Sequence, residues 1–182
     1  MVALQFAAAR IEQVTALVLV DGATNQFSAR PGWSREQAIN DFAPPRFTGT
    51  QRETFLSYYR SSPLGERWSP ELEENILNIV RLRDDDTVAP RLDFEYHLQI
   101  IGAMWDLPTF DLYQIVRCPI TLMVADQDSA NEAIKAFMRM RKQGIAHIKE
   151  LRPGARLVIM PDTIHDIPLQ RPEELAEEII QG

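Results

Sequence analysis

Residues 117–129, "RCPITLMVADQDS", decide the fold. A proline leads into Ile120–Val124, a run of apolar residues with no polar alternation, and the run ends in the polar turn Asp126-Gln127-Asp128-Ser129. An uninterrupted Val/Leu/Ile-type run of this length reads as a strand buried on both faces, the kind found in parallel sheets. Two more segments have the same character. "VTALVLVDGA" (residues 14–23) carries an apolar run from Val14 to Val20, stopped by Asp21-Gly22. "ARLVIMP" (residues 155–161) is the third and leads into "DTIHDIPLQRPEEL".

Helical patterns lie between and around these strands. "MVALQFAAAR" reads as helix from its first residue, with Leu4 and Ala8 on one face and Ala7 and Met1 beside it. Between Ala23 and about Tyr113 the signals are helical, with no strong strand among them. Ser34 and Gln37 are spaced as a capping box. Phe55, Leu56 and Tyr59 share a face, and Ser69-Pro70 is an N-cap followed by proline at the first helical position. Phe94, Leu98, Ile101 and Trp105 form another apolar stripe. This segment reads as an insertion of about four helices. After the second strand, residues 130–142 and 145–151 read as two helices separated by Gly144, and Pro172 opens a closing helix. Strands alternating with helices imply an α/β chain: about three parallel strands joined by right-handed crossovers, with flanking helices and an inserted helical segment.

Composition narrows the function classes. The chain has 182 residues and a net charge of −7, and its lysines and arginines form no basic face, which argues against nucleic acid or an anionic membrane as partner. No run is long and apolar enough to span a bilayer, and no signal-peptide pattern opens the chain. The single cysteine, Cys118, rules out an intrachain disulfide framework and fits a reducing, cytoplasmic setting. His97 and His147 have no partner at metal-ligand spacing, so neither marks a metal site.

In an open parallel sheet, ligands bind beyond the carboxyl ends of the strands. Three polar loops belong on that edge: Asp21-Gly22, Asp126 to Ser129, and Thr163 to Asp166, which contains His165. A carboxylate there can accept the imidazole Nδ1–H, fix its tautomer and stabilise the imidazolium, leaving Nε2 as a base. Cys118 begins its strand and so lies at the opposite edge, roughly 20 Å away at about 3.3 Å per residue. It reads as a small buried side chain. Ser129 reads as a cap for the helix that follows.

The order "VTALVLVDGA", helical insertion, "CPITLMVADQD", "IMPDTIHDIPLQRPEEL" resembles the C-terminal part of the α/β-hydrolase family across essentially the whole chain. The resemblance implies a partial α/β-hydrolase core over residues 1–22 and 114–182, with residues 23–113 as the cap that shapes a substrate pocket. It matches His165 to the catalytic histidine and Asp128 to the catalytic acid, with Asp126 as the alternative. Asp21 ends a strand at the same edge, where some relatives place their acid, although a turn former before Gly22 is its plainer reading. "MVALQFAAAR" is similar to the helix that follows the family's nucleophile elbow. The elbow itself, G-x-S-x-G or an aspartate or cysteine version, needs two glycines four positions apart. None of the eight glycines here are so spaced. The expectation is therefore the C-terminal portion of an esterase-like hydrolase of a small uncharged substrate, lacking the family's N-terminal third and inactive alone. Its exposed strand edge should favour self-association. The same layout serves epoxide hydrolases, dehalogenases and haloperoxidase-like members. The rival from another class is a non-catalytic binding or regulatory protein.

Overall fold

The computed structural model describes residues 1–181. Its elements, in chain order, are α1 (Val2–Ala9), β1 (Leu17–Val20), α2 (Arg35–Asp41), β2 (Thr50–Gln51), α3 (Arg52–Arg60), α4 (Pro70–Leu77), β3 (Val80–Leu82) and β4 (Thr87–Pro90), followed by α5 (Phe94–Asp106), α6 (Thr109–Ile115), β5 (Ile120–Asp126), α7 (Glu132–Leu151), β6 (Arg156–Pro161), α8 (Ile167–Gln170) and α9 (Pro172–Gln181). They form two compact units, residues 1–31 with 106–182, and residues 32–105.

The first unit holds a parallel sheet of order β1-β5-β6. Leu17 pairs with Ile120 and Val20 with Met123, while Thr121 pairs with Arg156 and Asp126 with Pro161. The decisive run is thus the central strand. Its residues are buried from Ile120 to Ala125, and the reason is the two-residue side-chain period. Ile120, Leu122 and Val124 join a core with Leu4 and Ala7 of α1, Tyr113 of α6 and Ile148 of α7. Met123 and Ala125 point to the other face, where Met160, Ile167 and Leu175 cover them. Helices on both faces leave β5 no solvated side, which is why its sequence does not alternate.

One helical reading needs correction. Residues 132–151 form one 20-residue helix that runs through Gly144 without a break. Glycine is there for packing: a Cβ at position 144 would sit 2.0 Å from the carbonyl oxygen of Thr24, so α7 lies directly against the loop after β1. Residues 167–170 add a short helix before the closing one.

The second unit is not purely helical. It contains an antiparallel sheet of order β2-β4-β3. These strands have two to four residues each, too short for periodicity to reveal them. The helices around them start as their sequences dictate. Ser34 accepts the backbone N–H of Gln37 while the Gln37 side chain accepts that of Ser34, a complete capping box. Ser69 accepts from Leu72 N–H ahead of Pro70. Phe47, Phe55 and Tyr59 pack edge-on and tilted, and Phe55 is fully buried. Among the described residues no helix is long and apolar enough to cross a membrane.

Candidate active site

The three strands of the first sheet run parallel, so their carboxyl ends share one edge. β1 delivers Asp21 there. The residue is in the left-handed region (φ 44°), which aspartate tolerates better than most residues. Ala23, two positions on, is left-handed too (φ 57°), so the chain turns sharply as it leaves the strand. Tyr113 donates its hydroxyl to the Ala23 carbonyl at 3.0 Å and pins that turn, and burial pushes its phenol well above the ordinary range.

The carboxylate of Asp21 is buried and fully engaged. Oδ1 accepts from the backbone N–H of Ala125 at 2.9 Å and from Nη1 of Arg141 at 2.6 Å. Oδ2 lies 2.7 Å from Nδ1 of His165. Asp21 and Arg141 side chains are 1% and 4% exposed, whereas the imidazole is 79% exposed. One end of this relay is therefore in the protein interior and the other in contact with solvent. The hydrogen bond to Asp21 holds His165 above the ordinary histidine range. Partial burial and the positive charge of Arg141 act in the opposite direction, and the charges of Asp21 and Asp166 add to the rise.

The loop carrying His165 is clamped from below. Ile164 N–H donates to the Gln170 side-chain oxygen at 2.7 Å, and the Gln170 amide donates to the Asp162 carbonyl at 3.1 Å. Thr163, fully buried, donates its hydroxyl to the Pro161 carbonyl at 2.9 Å. These bonds satisfy a tight loop and fix the base of the His165 side chain.

The contact expected between Asp128 and His165 is corrected by this geometry: the carboxylate at Nδ1 is that of Asp21. Asp128 is exposed, and its Oδ1 accepts the N–H of the adjacent Ser129 at 2.9 Å. Asp126 is 3.6 Å from Lys142 in an exposed ion pair. The physical reason lies in the strand end. The left-handed turn at Asp21 and the buried Arg141 bring its carboxylate to the Ala125 backbone and to His165, whereas Asp128 is exposed and takes up its own loop's N–H. Ser129 is likewise not the cap of α7. That role belongs to Asn131, whose side chain accepts from Ala133 and Ile134 N–H. Cys118 is buried, as its position implies. His147 pairs with Glu150 on the surface of α7. Among the described residues no cluster of His, Cys, Asp or Glu is arranged to hold a metal.

Sequence reasoning passed over Arg141 and Gln170. Arg141 had a readable signal. It falls in the apolar stripe of α7 with Gly144 and Ile148, all buried, and a charge inside such a stripe is buried only when paired. Gln170 had none, because a polar residue in a short helix is ordinary.

No protein-family model matches the sequence, and no curated protein sequence matches it. Solved structures do. The thioesterase domain from the curacin biosynthetic pathway superposes with a TM-score of 0.66 at 17% identity, covering 98% of this chain and 62% of that one. E-2-(acetamidomethylene)succinate hydrolase gives 0.62 at 16%, with 98% and 60% covered. A peroxisomal α/β-hydrolase of Saccharomyces cerevisiae gives 0.64 at 14%, with 98% and 48% covered. The chain has part of an α/β-hydrolase fold and spans about 60% of the length of the first two of these structures.

Proposed function

We propose that this chain, which carries part of an α/β-hydrolase fold, supplies the base and the acid of an esterase-like hydrolase, with the nucleophile coming from polypeptide outside these 182 residues. The observation that supports the reading is the 2.7 Å contact between His165 Nδ1 and the buried carboxylate of Asp21. With Nδ1 engaged, Nε2 is the nitrogen that can take a proton. Sited on the exposed rim of the sheet, it is open to a reactant.

The reaction we propose is the acyl transfer that the family resemblance implies. A serine hydroxyl attacks the carbonyl carbon of an uncharged ester. Its proton passes to Nε2 as the Oγ–C bond forms and the carbonyl π pair moves to oxygen. Asp21 stabilises the imidazolium. Collapse of the tetrahedral species breaks the bond to the alkoxide, which takes the proton from Nε2. Water then repeats the sequence on the acyl group, with His165 as base and then acid, and releases the carboxylic acid. No metal or organic cofactor enters any step. Residues 23–113, which contain the second compact unit, would serve as the family's cap.

The spacing of the eight glycines supports placing the nucleophile elsewhere. It equally favours a second reading, a non-catalytic binding protein on the same scaffold. One experiment separates the two. The chain is assayed with p-nitrophenyl acetate alone and again when joined to any in-frame coding segment found upstream of it. The hydrolase reading expects no turnover dependent on His165 from the chain alone. From the longer product it expects turnover that His165→Ala and Asp21→Asn reduce by about 10³-fold or more. A longer product that is folded and inert would leave the binding reading.

A further inference from the structure

The interior end of the relay is unusual in its charge. Asp21 has two basic neighbours and not one, Arg141 and His165. Arg141 donates Nη1 to Oδ1 at 2.6 Å and Nη2 to the Ala125 carbonyl, while Ala125 returns its N–H to the same Oδ1 at 2.9 Å. Its guanidinium also lies 5.6 Å from the ring centroid of Phe137, and Nη2 is 2.8 Å from the sulfur of Met138. The fork thus closes a ring of hydrogen bonds around one carboxylate oxygen and leaves only Oδ2 for His165. A planar fork of fixed geometry can do this, whereas a lysine point charge would not select one oxygen.

The helix that carries Arg141 is itself held close. Gly144, one turn further on the same face, allows α7 to touch the Thr24 carbonyl. With the Asn25 amide turned to satisfy its neighbours, its nitrogen donates to the Thr24 carbonyl at 3.2 Å and to that of Met140 at 3.0 Å. The loop from Asp21 to Asn25 and the segment of α7 from Met140 to Gly144 are therefore joined by direct contacts.

We infer that Arg141 is a positioning residue for His165: it holds the Asp21 carboxylate by Oδ1 so that Oδ2 meets Nδ1 of the imidazole, and it shares the negative charge of that carboxylate. A base must be neutral to accept a proton, and a lone buried aspartate at Nδ1 would work against this. The charged groups that act on the imidazole are Asp21 from the end of β1, Arg141 from α7 and Asp166 from its own loop; of these charges only Arg141 favours the neutral ring, and the ring's partial burial acts in the same direction more strongly. This inference rests on the proposed role of His165 as base, yet its test needs no turnover.

The test uses the whole chain and diethyl pyrocarbonate, which acylates an imidazole only in its neutral form. Modification of His165 is followed by peptide mass spectrometry from pH 5 to pH 9. His97 and His147 serve as internal controls for folding and reagent. The half-maximal pH at His165 should rise by roughly half a pH unit or more in Arg141→Gln, and likewise in Arg141→Met, because a charge a few ångströms away is removed from a partly solvated site. Arg141→Lys, which keeps the charge but not the fork, should shift the midpoint less than either neutral variant. His97 and His147 should not move in any variant. An unchanged or lowered midpoint in a folded neutral variant would overturn the inference. So would failure of both neutral variants to fold, which would assign Arg141 to stability alone. Absence of esterase activity in the longer gene product, with the midpoint shifted as expected, would sink the hydrolase reading and leave the role of Arg141 intact.

Discussion

Asp21 and His165 are 144 residues apart in sequence and 2.7 Å apart in space. The contact joins the first strand of the sheet to the loop after the last, and its protonation can be followed. The half-maximal pH for His165 modification should lie above the ~6.5 of an unperturbed histidine. In Asp21→Asn it should fall by about one pH unit, since an opposite charge in hydrogen-bond contact is lost. Asp128→Asn should leave it in place. A fall in the Asp128 variant with none in the Asp21 variant would reverse the assignment of the acid.

The same contact ties stability to pH. His165 is held above its ordinary range in the folded chain by its bond to Asp21. Folded His165 therefore binds its proton more tightly than unfolded His165 does. The stabilisation is fully present below the unfolded value near 6.5 and fades as pH rises through the higher folded value. The melting temperature of the wild type minus that of His165→Gln should be largest near pH 5–6 and shrink towards pH 9. A difference that grows with pH would mean that the imidazole is held neutral.

Removing one partner of the buried ion pair should be costly. Arg141 and Asp21 side chains are almost wholly inside the protein, so Asp21→Ala leaves a guanidinium without its counter-charge. The expected loss is about 3–5 kcal/mol in urea unfolding. Asp128→Ala, at an exposed loop position, should change stability by no more than about 0.5 kcal/mol. Equal effects of the two substitutions would show that the Asp21–Arg141 pair contributes little.

Much of this arrangement was legible in residues 14–23, 117–129 and 155–165. Continuous apolar runs announced the parallel strands, and strand polarity alone put Asp21, Asp128 and His165 on one edge. The choice between the two acids was not legible. It depends on a left-handed turn at Asp21 and on an arginine 120 residues away, and neither leaves a local mark that separates one turn aspartate from another. Gly144 misled for the opposite reason. A glycine inside a helical pattern reads locally as a break, and only the neighbouring loop reveals it as a point of close approach. The strands β2, β3 and β4 escaped because two to four residues cannot display a period.

Gly144 gives a sharp test of that close approach. Its missing Cβ would meet main chain at 2.0 Å, and backbone cannot swing aside as a flexible side-chain tip can. Gly144→Ala should therefore destabilise by about 1–3 kcal/mol despite alanine's better helix propensity. It should also displace the loop that holds Asp21, so the His165 modification midpoint should move with it. A stabilised variant would mean that α7 and the loop are not in contact.

The sheet itself supplies the last prediction. β1 has β5 on one side and no strand on the other among the described residues. Its four residues, Leu-Val-Leu-Val, alternate between buried and half-buried, with Val18 and Val20 the less covered. An apolar strand with one free backbone edge is a template for pairing with another chain. The isolated chain should therefore associate as its concentration rises, with sedimentation velocity showing species heavier than the 20.8 kDa monomer. Val18→Lys places a charge on that edge strand, where pairing with a second copy would bring two like charges together. It should shift the distribution to monomer. A wild-type chain that sediments as one monomeric species up to about 100 μM, the lower part of the micromolar-to-millimolar range where open edges aggregate, would show that the edge is not sticky. That result would also count against an outside segment normally pairing with β1, which is where the proposed nucleophile-bearing strand would have to sit.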